Sequence, residues 1–369
     1  MAVLVTGGMG FIGSHTVDLL VKEGHEVRVL DNLERQVHQG RKPDYLNPDA
    51  TYIVGDIRYR KHWLKALKGV DAVIHLAGAV GIGQSFWEAK KYSDVNVGGT
   101  AMLYEILTRE RSIRNRIEKI VVAASKSSYG EGVYRCGSHG TFHPDQRPVS
   151  QLRKGEWEVK CPRCGRESTP VGITEDTPMQ GLNPYSISKN AVELLAMGFS
   201  SALGIETAAL RYFNVYGPRQ SLSNPYTGVM AIFLTRLQSG NRPFLFEDGA
   251  QLRDYVYVED VARVNVSALA RGRGAVNVGT GRPTSLREVV RQLDDALGCG
   301  ISPTLSGEFR PGDNRHDFAD LRRFQETFGK LPLTPMSKGI RKLVEWSASA
   351  QVHDNFEKEE RERKRFLSA

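Results

Sequence analysis

A glycine-rich turn near the start of the chain separates a short apolar strand from a helical pattern. The strand covers residues 2–6, the turn reads Gly-Gly-Met-Gly-Phe-Ile-Gly at 7–13, and the helical pattern continues over 14–22. In such a turn the first glycines permit a tight bend, the middle one lets backbone approach a pyrophosphate, and the last lets the helix pack on the strand. Helix amides then face the phosphates. The residues predicted to hold a dinucleotide here are Gly7, Gly10, Phe11, Ile12 and Gly13.

An acidic residue closes the next strand. Residues 26–30 form a strand pattern that ends in Asp31, eighteen positions after Gly13. A carboxylate at this place accepts both hydroxyls of an adenosine ribose and repels a 2′-phosphate. No arginine directly follows Asp31, because Asn32 comes next. The sequence therefore favours NAD over NADP.

Strand and helix patterns alternate through the first third of the chain. Three further strand patterns cover residues 51–56, 71–78 and 119–124, with helical patterns between them at 61–67 and 99–107. This alternation predicts an α/β fold of the Rossmann type, a doubly wound parallel sheet with its ligand at the carboxyl ends of the strands. The residues that close those strands are therefore candidates for a functional site.

Charge and hydropathy argue against two classes of partner. The chain has 50 Lys and Arg against 42 Asp and Glu, a net charge of +8 that is spread along the sequence without a nucleic-acid-binding motif, so we expect a small polyanion rather than nucleic acid. No run of about 18 apolar residues is present, so no membrane span is expected. A strand pattern already begins at Ala2, which leaves no room for a cleavable signal and predicts a cytoplasmic location.

Three residues suggest an oxidation of a hydroxyl group. Ser125 closes the strand pattern at 119–124, and Tyr185 and Lys189 are four positions apart at the start of a helix, which places them on one helical face. A phenol with a pKa near 10 is a poor base at neutral pH. A lysine ammonium and a cationic nicotinamide ring both favour the phenolate, and a serine hydroxyl can hydrogen-bond the reacting oxygen.

From residue 2 to about 347, the chain resembles the extended short-chain dehydrogenase/reductases of the NAD-dependent epimerase/dehydratase family. The resemblance implies that Ser125 orients the reacting hydroxyl, Tyr185 is the base, and Lys189 tunes its pKa and binds the cofactor ribose. It also implies a homodimer packed through two helices per subunit. Beyond the glycine turn, the NAD-binding positions that it implies are Asp31, Asn32, Asp56, Ile57, Leu76, Ala77, Ala79, Tyr185 and Lys189.

Three segments of the second half resemble the family's nucleotide-sugar site. Residues 211–218 match the segment whose asparagine, here Asn214, contacts the sugar nucleotide, and residues 248–258 match the segment whose arginine, here Arg253, grips the pyrophosphate. Arg310 and Asp313 match a second such arginine and an acid near the nucleotide ribose. Two guanidinium forks can hold a diphosphate bidentately, which lysine cannot, so a nucleotide-diphosphate sugar is the expected substrate.

The residues after Ser125 help to choose between reactions within the family. Dehydratases resemble one another in having Asp-Glu directly after the Ser/Thr, and decarboxylating members also need a carboxylate there, whereas this chain has Lys126 and Ser127. The acid and base for elimination are therefore missing, which leaves 4-epimerisation through a 4-keto intermediate. Residues 128–136 and 220–228 resemble members that act on dTDP-L-rhamnose, so a dTDP-6-deoxyhexose is expected. The alternatives are a net oxidoreductase, another nucleotide-sugar modifier, and a non-catalytic NAD sensor.

Sixty positions separate Ser125 from Tyr185, far more than is usual in the family, and the extra segment covers 133–171. Its Cys-Pro-Arg-Cys-Gly sequence at 161–165 is typical of a zinc knuckle, and Cys-Gly-Ser-His at 136–139 can complete a tetrahedral structural site, with His143 as the rival fourth ligand. A metal-free insertion and a redox pair are the alternatives. The predicted metal ligands are Cys136, His139, Cys161 and Cys164.

Four regions follow from these observations. Residues 1–180 are expected to form the NAD-binding Rossmann domain, including the cysteine-rich insertion at 133–171. Residues 181–347 mainly form a smaller C-terminal α/β substrate-binding domain, with some strands returning to the Rossmann sheet. Residues 348–369 are a charged tail, expected as a solvated helix or a frayed end.

Overall fold

The computed structural model describes residues 1–224, 226–310, 312–350 and 352–367. Its first third alternates strand and helix as the sequence predicts. The strands are β1 (Ala2–Thr6), β2 (Glu26–Asp31), β3 (Thr51–Val54), β4 (Ala72–His75) and β5 (Lys119–Ser125). The helices are α1 (Phe11–Lys22), α2 (Arg35–His38), α3 (Arg60–Ala66), α4 (Ile82–Ser85), α5 (Ala89–Tyr92), α6 (Gly99–Arg109) and α7 (Arg111–Arg114). A π-helix at Ser93–Gly98 leads into α6, and a 3₁₀ turn at Lys126–Tyr129 follows β5.

The insertion forms a small antiparallel unit of its own. Its elements are β6 (Val133–Cys136), β7 (Gly140–Phe142), α8 (Val149–Leu152) and β8 (Thr169–Val171). β6 is the central strand, with β7 on one side and β8 on the other. Cys136 at the end of β6 and the knuckle at 161–165 are therefore carried by one compact piece of chain.

The second half contains the remaining elements. The helices are α9 (Pro184–Leu203), α10 (Val229–Gln238), α11 (Val258–Ala270), α12 (Leu286–Leu297), α13 (Arg322–Phe328), α14 (Met336–Ser347) and α15 (Phe356–Leu367). The strands are β9 (Glu206–Tyr212), β10 (Asn214–Tyr216), β11 (Phe244–Leu245), β12 (Leu252–Tyr257), β13 (Gly274–Val278), β14 (Pro283–Ser285), β15 (Thr304–Leu305) and β16 (His316–Asp317).

Seven strands form one parallel sheet in the order β3-β2-β1-β4-β5-β9-β13. The order reverses between β1 and β4, and in a doubly wound sheet the ligand crevice opens at such a point, beyond the carboxyl ends of the strands. β9 and β13 come from the second half of the chain and extend the sheet. The predicted Rossmann-type fold is confirmed.

Helices cover both faces of this sheet, which explains why its central strands are apolar along their whole length. One face packs on α1 and α11, where Val17 and Val264 are buried, and the other packs on α3, α6 and α9, where Trp63 and Leu103 are buried. Every residue of β5 is buried. The site residues at its end therefore stand on a rigid support.

A second, mixed sheet lies in the C-terminal half. β12 pairs in parallel with β10 and β16 and antiparallel with β14. Arg253 in β12 lies opposite Asp317 in β16. A separate core, which includes Leu234, Val289 and Leu343, packs α10, α12 and α14 around this part of the chain. The predicted smaller α/β unit and the cysteine-rich insertion are thus both present in the fold.

The start of α9 is fixed by its sequence. The Asn183 side chain accepts a hydrogen bond from the Ser186 amide at 2.9 Å, while the Asn183 amide donates to Ser186 Oγ at 3.1 Å, and Pro184 occupies the first helical position. This reciprocal capping fixes where the helix begins. Tyr185 is consequently held in the first turn, and Lys189 lies one turn later.

The charged segment near the C-terminus is helical from 356 to 367. The Arg236 guanidinium lies 4.4 Å from the centre of the Phe356 ring and 3.5 Å from a Glu357 oxygen, which attaches the helix to α10. Residues 351, 368 and 369 of the predicted tail lie outside the described residues. No helix in the described ranges combines the length and apolar character needed to cross a lipid bilayer.

Candidate active site

The glycine turn between β1 and α1 has the close contacts that its sequence predicts. Gly7 has a φ of 69°, and a Cβ there would lie 2.9 Å from the Ala77 backbone nitrogen. A Cβ on Gly13 would lie 2.1 Å from the Gly7 carbonyl oxygen. Both positions therefore need glycine. The first amides of α1 have no acceptor inside the helix and lie at the crevice where the sheet order reverses. Gly7, Gly10, Phe11, Ile12 and Gly13 together make a cradle suited to phosphate.

Asp31 closes β2 beside this cradle. One of its oxygens accepts the Met9 amide at 3.0 Å, and the other accepts the Leu33 amide at 2.9 Å. The His38 ring nitrogen Nε2 lies 3.7 Å from the same carboxylate. A carboxylate buried at a strand end and held by the glycine turn suits an adenosine ribose.

Asp56 and Asn32 lie next to each other at the neighbouring strand ends. Asn32 Nδ2 is 3.4 Å from Asp56 Oδ2, and the Arg58 guanidinium pairs with the Asp56 carboxylate at 2.6 Å. Burial raises the pKa of Asp56, but the hydrogen bonds from Arg58 outweigh that effect and leave the pKa below its ordinary value. Ile57 is buried, and its carbonyl oxygen accepts the Trp63 indole N–H at 2.6 Å.

Leu76, Ala77 and Ala79 follow β4, where Asn96 of the π-helix holds the chain. The Ala79 amide donates to Asn96 Oδ1 at 2.7 Å, and Asn96 Nδ2 lies 3.0 Å from the Ala79 oxygen and 2.9 Å from Ser188 Oγ. Asn96 thus joins the end of β4 to α9. Asn96 was not among the predicted site residues, because its burial and its contacts with distant residues are not visible in the sequence.

Ser125, Tyr185 and Lys189 come together at the end of β5. Ser125 Oγ caps the 3₁₀ turn and accepts a hydrogen bond from Ser127 Oγ at 2.9 Å. Lys189 Nζ donates to the Ala123 carbonyl oxygen at 2.9 Å. The Tyr185 ring packs edge-on against Tyr92, with 6.2 Å between ring centres. The structure therefore gathers the three predicted residues where α9 crosses the strand end.

Burial dominates the proton affinities of this group. It raises the pKa of Tyr185 above its ordinary value, while the hydrogen bond with Ser125 acts in the opposite direction. Burial lowers the pKa of Lys189 to about 8. At neutral pH the lysine therefore still carries its charge for most of the time. Without a bound cofactor, the raised pKa keeps the phenol of Tyr185 protonated at neutral pH.

The predicted substrate residues lie in the C-terminal sheet and its loops. Asn214 Nδ2 donates to the Asp254 carbonyl oxygen at 3.0 Å, which joins β10 to β12. Arg253 donates to the carbonyl oxygens of Asn314 and Arg315 at 2.8 and 2.9 Å. Arg310 pairs with the Asp313 carboxylate at 2.8 Å and lies over the Phe246 ring. The guanidinium groups are thus held by protein oxygens in this structure.

The Asp317 carboxylate connects Arg253 to the end of β5. Lys126 Nζ lies 2.6 Å from Asp317 Oδ2, and Arg253 Nε lies 3.3 Å from the same oxygen. Lys126 directly follows Ser125, so this carboxylate links the strand that carries Ser125 to the candidate diphosphate arginine. Asp317 was not among the predicted site residues, because nothing local links two residues that are 191 positions apart.

The four predicted metal ligands of the insertion converge. The ligand atoms of Cys136, His139, Cys161 and Cys164 all lie within 4.8 Å of one another. Cys136 Sγ is 3.7 Å from Cys164 Sγ, and Cys161 Sγ is 3.4 Å from His139 Nδ1. A tetrahedral zinc site with Zn–S bonds of about 2.3 Å requires sulfur atoms about 3.8 Å apart, so the donor set fits.

His143 lies elsewhere. Its Nε2 is 2.8 Å from the Tyr129 carbonyl oxygen, and it is not among the clustered ligands. Of the two histidines that the sequence left open as a fourth ligand, the structure brings His139 to the cysteines.

The parallel sheet and its glycine turn define the class as a Rossmann-type dinucleotide-binding α/β protein. The family described as "NAD dependent epimerase/dehydratase family" matches residues 3–150 and 162–279, and the gap falls inside the insertion. The chain belongs to this family.

Similar proteins include nucleotide-sugar 4-epimerases. A dTDP-L-rhamnose 4-epimerase of Burkholderia thailandensis is 33% identical, over 94% of each chain. The UDP-glucose 4-epimerase of Thermotoga maritima, solved with UDP-glucose, is 30% identical with a TM-score of 0.77, covering 94% of this chain and 99% of its own. The UDP-glucose 4-epimerase of Thermus thermophilus, solved with NAD, is 29% identical with a TM-score of 0.74, covering 95% of this chain and 100% of its own.

Proposed function

We propose that this chain is an NAD-dependent nucleotide-sugar 4-epimerase whose substrate is a dTDP-6-deoxyhexose such as dTDP-L-rhamnose. The observation that carries the proposal is the meeting of Ser125 from β5 with Tyr185 and Lys189 from α9. The Burkholderia thailandensis relative supports the dTDP-sugar, and the Thermotoga maritima structure supports a nucleotide diphosphate sugar more broadly.

NAD fits the crevice at β1 and β4. The turn at 7–13 has no room for side chains at Gly7 and Gly13 and offers helix amides to a pyrophosphate. Asp31 would hold the adenosine ribose, Asn32 and Asp56 would lie at the adenine edge, and the residues following β4 would line the nicotinamide side. NAD held there would supply the hydride acceptor and donor for the sugar carbon. Its positive ring also favours a nearby phenolate.

The protein residues move the proton. Tyr185, as phenolate, takes the proton of the C4 hydroxyl, and Ser125 donates a hydrogen bond to the same oxygen. Lys189 stabilises the phenolate by its charge and is held by the Ala123 carbonyl oxygen. After the 4-keto sugar has turned in the pocket, Tyr185 returns the proton to the oxygen. The stereochemistry at C4 is thereby inverted and no net oxidation results.

Elimination is not supported at this site. Lys126 and Ser127 follow Ser125, and neither has a carboxylate to act as the acid or base for loss of water. Lys126 is held by Asp317, and Ser127 donates to Ser125 Oγ. Epimerisation needs only the proton transfer that Tyr185 can supply.

The diphosphate would be held by Arg253 and Arg310, with Asp313 at the nucleotide ribose and Asn214 at the sugar nucleotide. Arg310 now faces the Asp313 carboxylate, which a diphosphate can replace with bidentate bonds.

Incubation with dTDP-, UDP- and GDP-sugars, followed by NMR of the products, tests the function. We expect a C4 epimer of dTDP-L-rhamnose to form with NAD bound throughout and with no accumulation of NADH. Tyr185→Phe should keep NAD and lose turnover. Stoichiometric release of NADH would favour a net oxidoreductase, and a Tyr185→Phe variant with full activity would remove Tyr185 as the base.

We also propose a structural zinc ion at Cys136, His139, Cys161 and Cys164. Four protein ligands leave no open position for a substrate, so the metal would be structural rather than catalytic. Purified protein should contain about one zinc per chain, and Cys161→Ser should lose it while Cys299→Ser keeps it. Less than about half an equivalent in the wild type would reject the site.

A homodimer is proposed through α9. Its Ile187 and Leu194 are 54% and 60% exposed, and their spacing of seven places them on one side of the helix. Sedimentation equilibrium should give twice the chain mass, and Leu194→Glu should give the monomer. A wild-type monomer at micromolar concentration would reject this interface.

A further inference from the structure

Charged residues join the insertion to the segment that precedes Asp317. Glu158 of the insertion accepts hydrogen bonds from the Arg315 guanidinium at 2.6 and 3.0 Å, and its other oxygen lies 3.0 Å from His316 Nε2. Burial by itself raises the pKa of Glu158, but the bonds from His316 and Arg315 bring it to about 2. Glu158 is therefore ionised at neutral pH, and its carboxylate accepts hydrogen bonds from both Arg315 and His316.

The protonation of His316 follows from its neighbours. The Leu252 amide donates to His316 Nδ1 at 3.0 Å, so Nδ1 must be the acceptor and Nε2 must carry the hydrogen that faces Glu158. Leu252 is directly before Arg253 in β12. One chain of hydrogen bonds thus runs from the insertion to the strand that bears the candidate diphosphate arginine.

Arg315 is the centre of this contact. It is 1% exposed, and besides Glu158 it donates to Glu247 at 2.8 Å and to Asp248 at 2.7 and 3.0 Å. A buried guanidinium depends on such partners, because an uncompensated charge in the interior is costly. The position of Arg315 is therefore set in part by the insertion.

A second residue of the insertion acts in the same place. Arg147 is buried and donates to the Asp313 carbonyl oxygen at 3.1 Å, while its guanidinium lies 3.0 Å from Glu247. It also donates to the Trp157 carbonyl oxygen at 2.8 Å, next to Glu158. The backbone from Asp313 to His316 is consequently held from the insertion side.

This held backbone in turn fixes Arg253. Two of the three carbonyl oxygens that accept from the Arg253 guanidinium belong to Asn314 and Arg315, and the third is that of the adjacent Leu252. If the segment moves, Arg253 loses two of its acceptors and its side chain is held less firmly. The orientation of this arginine thus depends on residues of the insertion that are far from it in sequence.

Two of the predicted metal ligands lie on the hairpin that follows Glu158. The hairpin that begins just after Glu158 is closed by the Ser168 amide donating to the Val159 oxygen at 2.9 Å and the Cys161 amide donating to the Arg166 oxygen at 2.8 Å. Cys161 and Cys164 lie at the tip of this hairpin. Metal bonds there would restrict the strand that carries Glu158.

We propose that the metal-bound insertion is a positioning part of the nucleotide-sugar site, in which Glu158 and Arg147 hold the 313–316 backbone that orients Arg253. This inference rests on the proposed function, because it takes Arg253 as the diphosphate ligand. It implies that damage to the insertion weakens the binding of the nucleotide sugar and leaves NAD binding unchanged.

The test compares Glu158→Gln with Glu156→Gln. Glutamine at 158 has one acceptor oxygen, so its NH₂ group must face either the Arg315 or the His316 donor. Glu156 is exposed and pairs with Lys160 in the same segment, so it is a matched control. Binding of dTDP and UDP is measured by titration calorimetry. The NAD and zinc contents of each purified variant are measured separately. We expect at least tenfold weaker nucleotide binding and a raised KM with kcat kept for Glu158→Gln, and wild-type values for Glu156→Gln.

A second arm removes the metal from the wild type by chelation and restores it with zinc. Nucleotide binding should weaken and recover, while bound NAD stays constant. A Glu158→Gln variant with full zinc and nucleotide binding within twofold of the wild type would overturn the inference. If this variant does not fold, Glu158→Asp, which keeps the charge but is one methylene shorter, is judged by the same criterion. If the wild type binds neither nucleotide, the proposed function fails instead.

Discussion

The ammonium group of Lys189 lies 2.9 Å from the carbonyl oxygen of Ala123, two positions before Ser125 in β5. This bond ties α9 to the strand that carries Ser125. It also gives a buried cation a permanent acceptor, although burial still lowers the pKa of Lys189 to about 8. The lysine is thus fixed in place and charged at neutral pH, as a group that stabilises a phenolate should be.

We predict that Lys189→Met lowers kcat about 100-fold or more at pH 7, because the phenolate of Tyr185 loses the stabilising charge of Lys189. Steady-state kinetics with the substrate found by NMR measures the effect. Lys22→Met, on the exposed side of α1, should retain wild-type rates. A Lys189→Met variant within fivefold of the wild type would show that Tyr185 ionises without this charge.

Local sequence was enough to predict the cofactor crevice and the candidate catalytic group. The glycine turn, Asp31 and the Tyr185–Lys189 pair each depend on spacing within one element or one strand-to-helix connection. Parallel strands end at the same edge, so Ser125 could be placed near Tyr185 without knowing the intervening insertion. The structure brings these residues together as that reasoning requires.

The contacts around the insertion could not be predicted in this way. Glu158 and Arg315 are 157 positions apart, and Lys126 and Asp317 are 191 apart. Charged residues at such separations have no periodicity that distinguishes a buried pair from two solvated side chains. The sequence could not decide between His139 and His143 as the fourth ligand for a similar reason. Both lie close to Cys136 along the chain, and only the folded structure shows which one reaches the cysteines.

The hydrogen bond between Ser125 and Tyr185 gives a prediction about pH. Burial raises the pKa of Tyr185 and the Ser125 bond lowers it, so Ser125→Ala should raise it further. Tyr185 acts as a base when deprotonated, and activity therefore rises as pH increases through this pKa. The acid limb of kcat/KM against pH should shift to higher pH in Ser125→Ala. If kcat/KM of Ser125→Ala falls by the same factor at every pH and the acid limb does not move, Ser125 only orients the substrate.

Asp31 gives a prediction about the cofactor. Its two oxygens hold the Met9 and Leu33 amides, and we expect the same carboxylate to accept the ribose hydroxyls. Hydrogen bonds to charged groups contribute about 1.5–3 kcal/mol, so Asp31→Asn should bind NAD roughly 10- to 150-fold more weakly. Discrimination against NADP should also shrink, because the repulsive charge is gone. Calorimetry with both dinucleotides measures this, with the exposed Asp49→Asn as control. Unchanged affinity would place the ribose elsewhere.

The two histidines of the insertion provide a matched pair for the zinc site. His139 Nδ1 lies 3.4 Å from Cys161 Sγ, whereas His143 bonds the Tyr129 carbonyl oxygen. We expect His139→Ala to lose most of its zinc or bind it with much lower affinity, because three protein ligands leave the tetrahedron incomplete. His143→Ala should retain about one zinc per chain. Metal analysis after dialysis against a weak chelator reads out both, and the reverse pattern would reassign the fourth ligand to His143.

The last prediction concerns acid stability and His75. This ring is 3% exposed and lies between the hydroxyl groups of Thr6 at 2.7 Å and Thr100 at 3.1 Å. Burial, with a smaller contribution from Lys189, lowers its pKa to about 3 from the ordinary value of 6.5. Between these values the unfolded chain binds a proton that the folded chain does not, so the free energy of unfolding falls as pH falls below 6.5, by up to about 1.4 kcal/mol per pH unit.

His75→Gln removes this titration and should give a shallower pH dependence of stability between about pH 6.5 and about pH 4.5, even if its stability at pH 7 is lower. Urea unfolding at several pH values measures the two slopes. The exposed His353→Gln, which leaves the buried ring of His75 untouched, should keep the wild-type slope. Parallel curves for the wild type and His75→Gln would mean that the ring is protonated in the folded protein, which the two threonine contacts and its burial make costly.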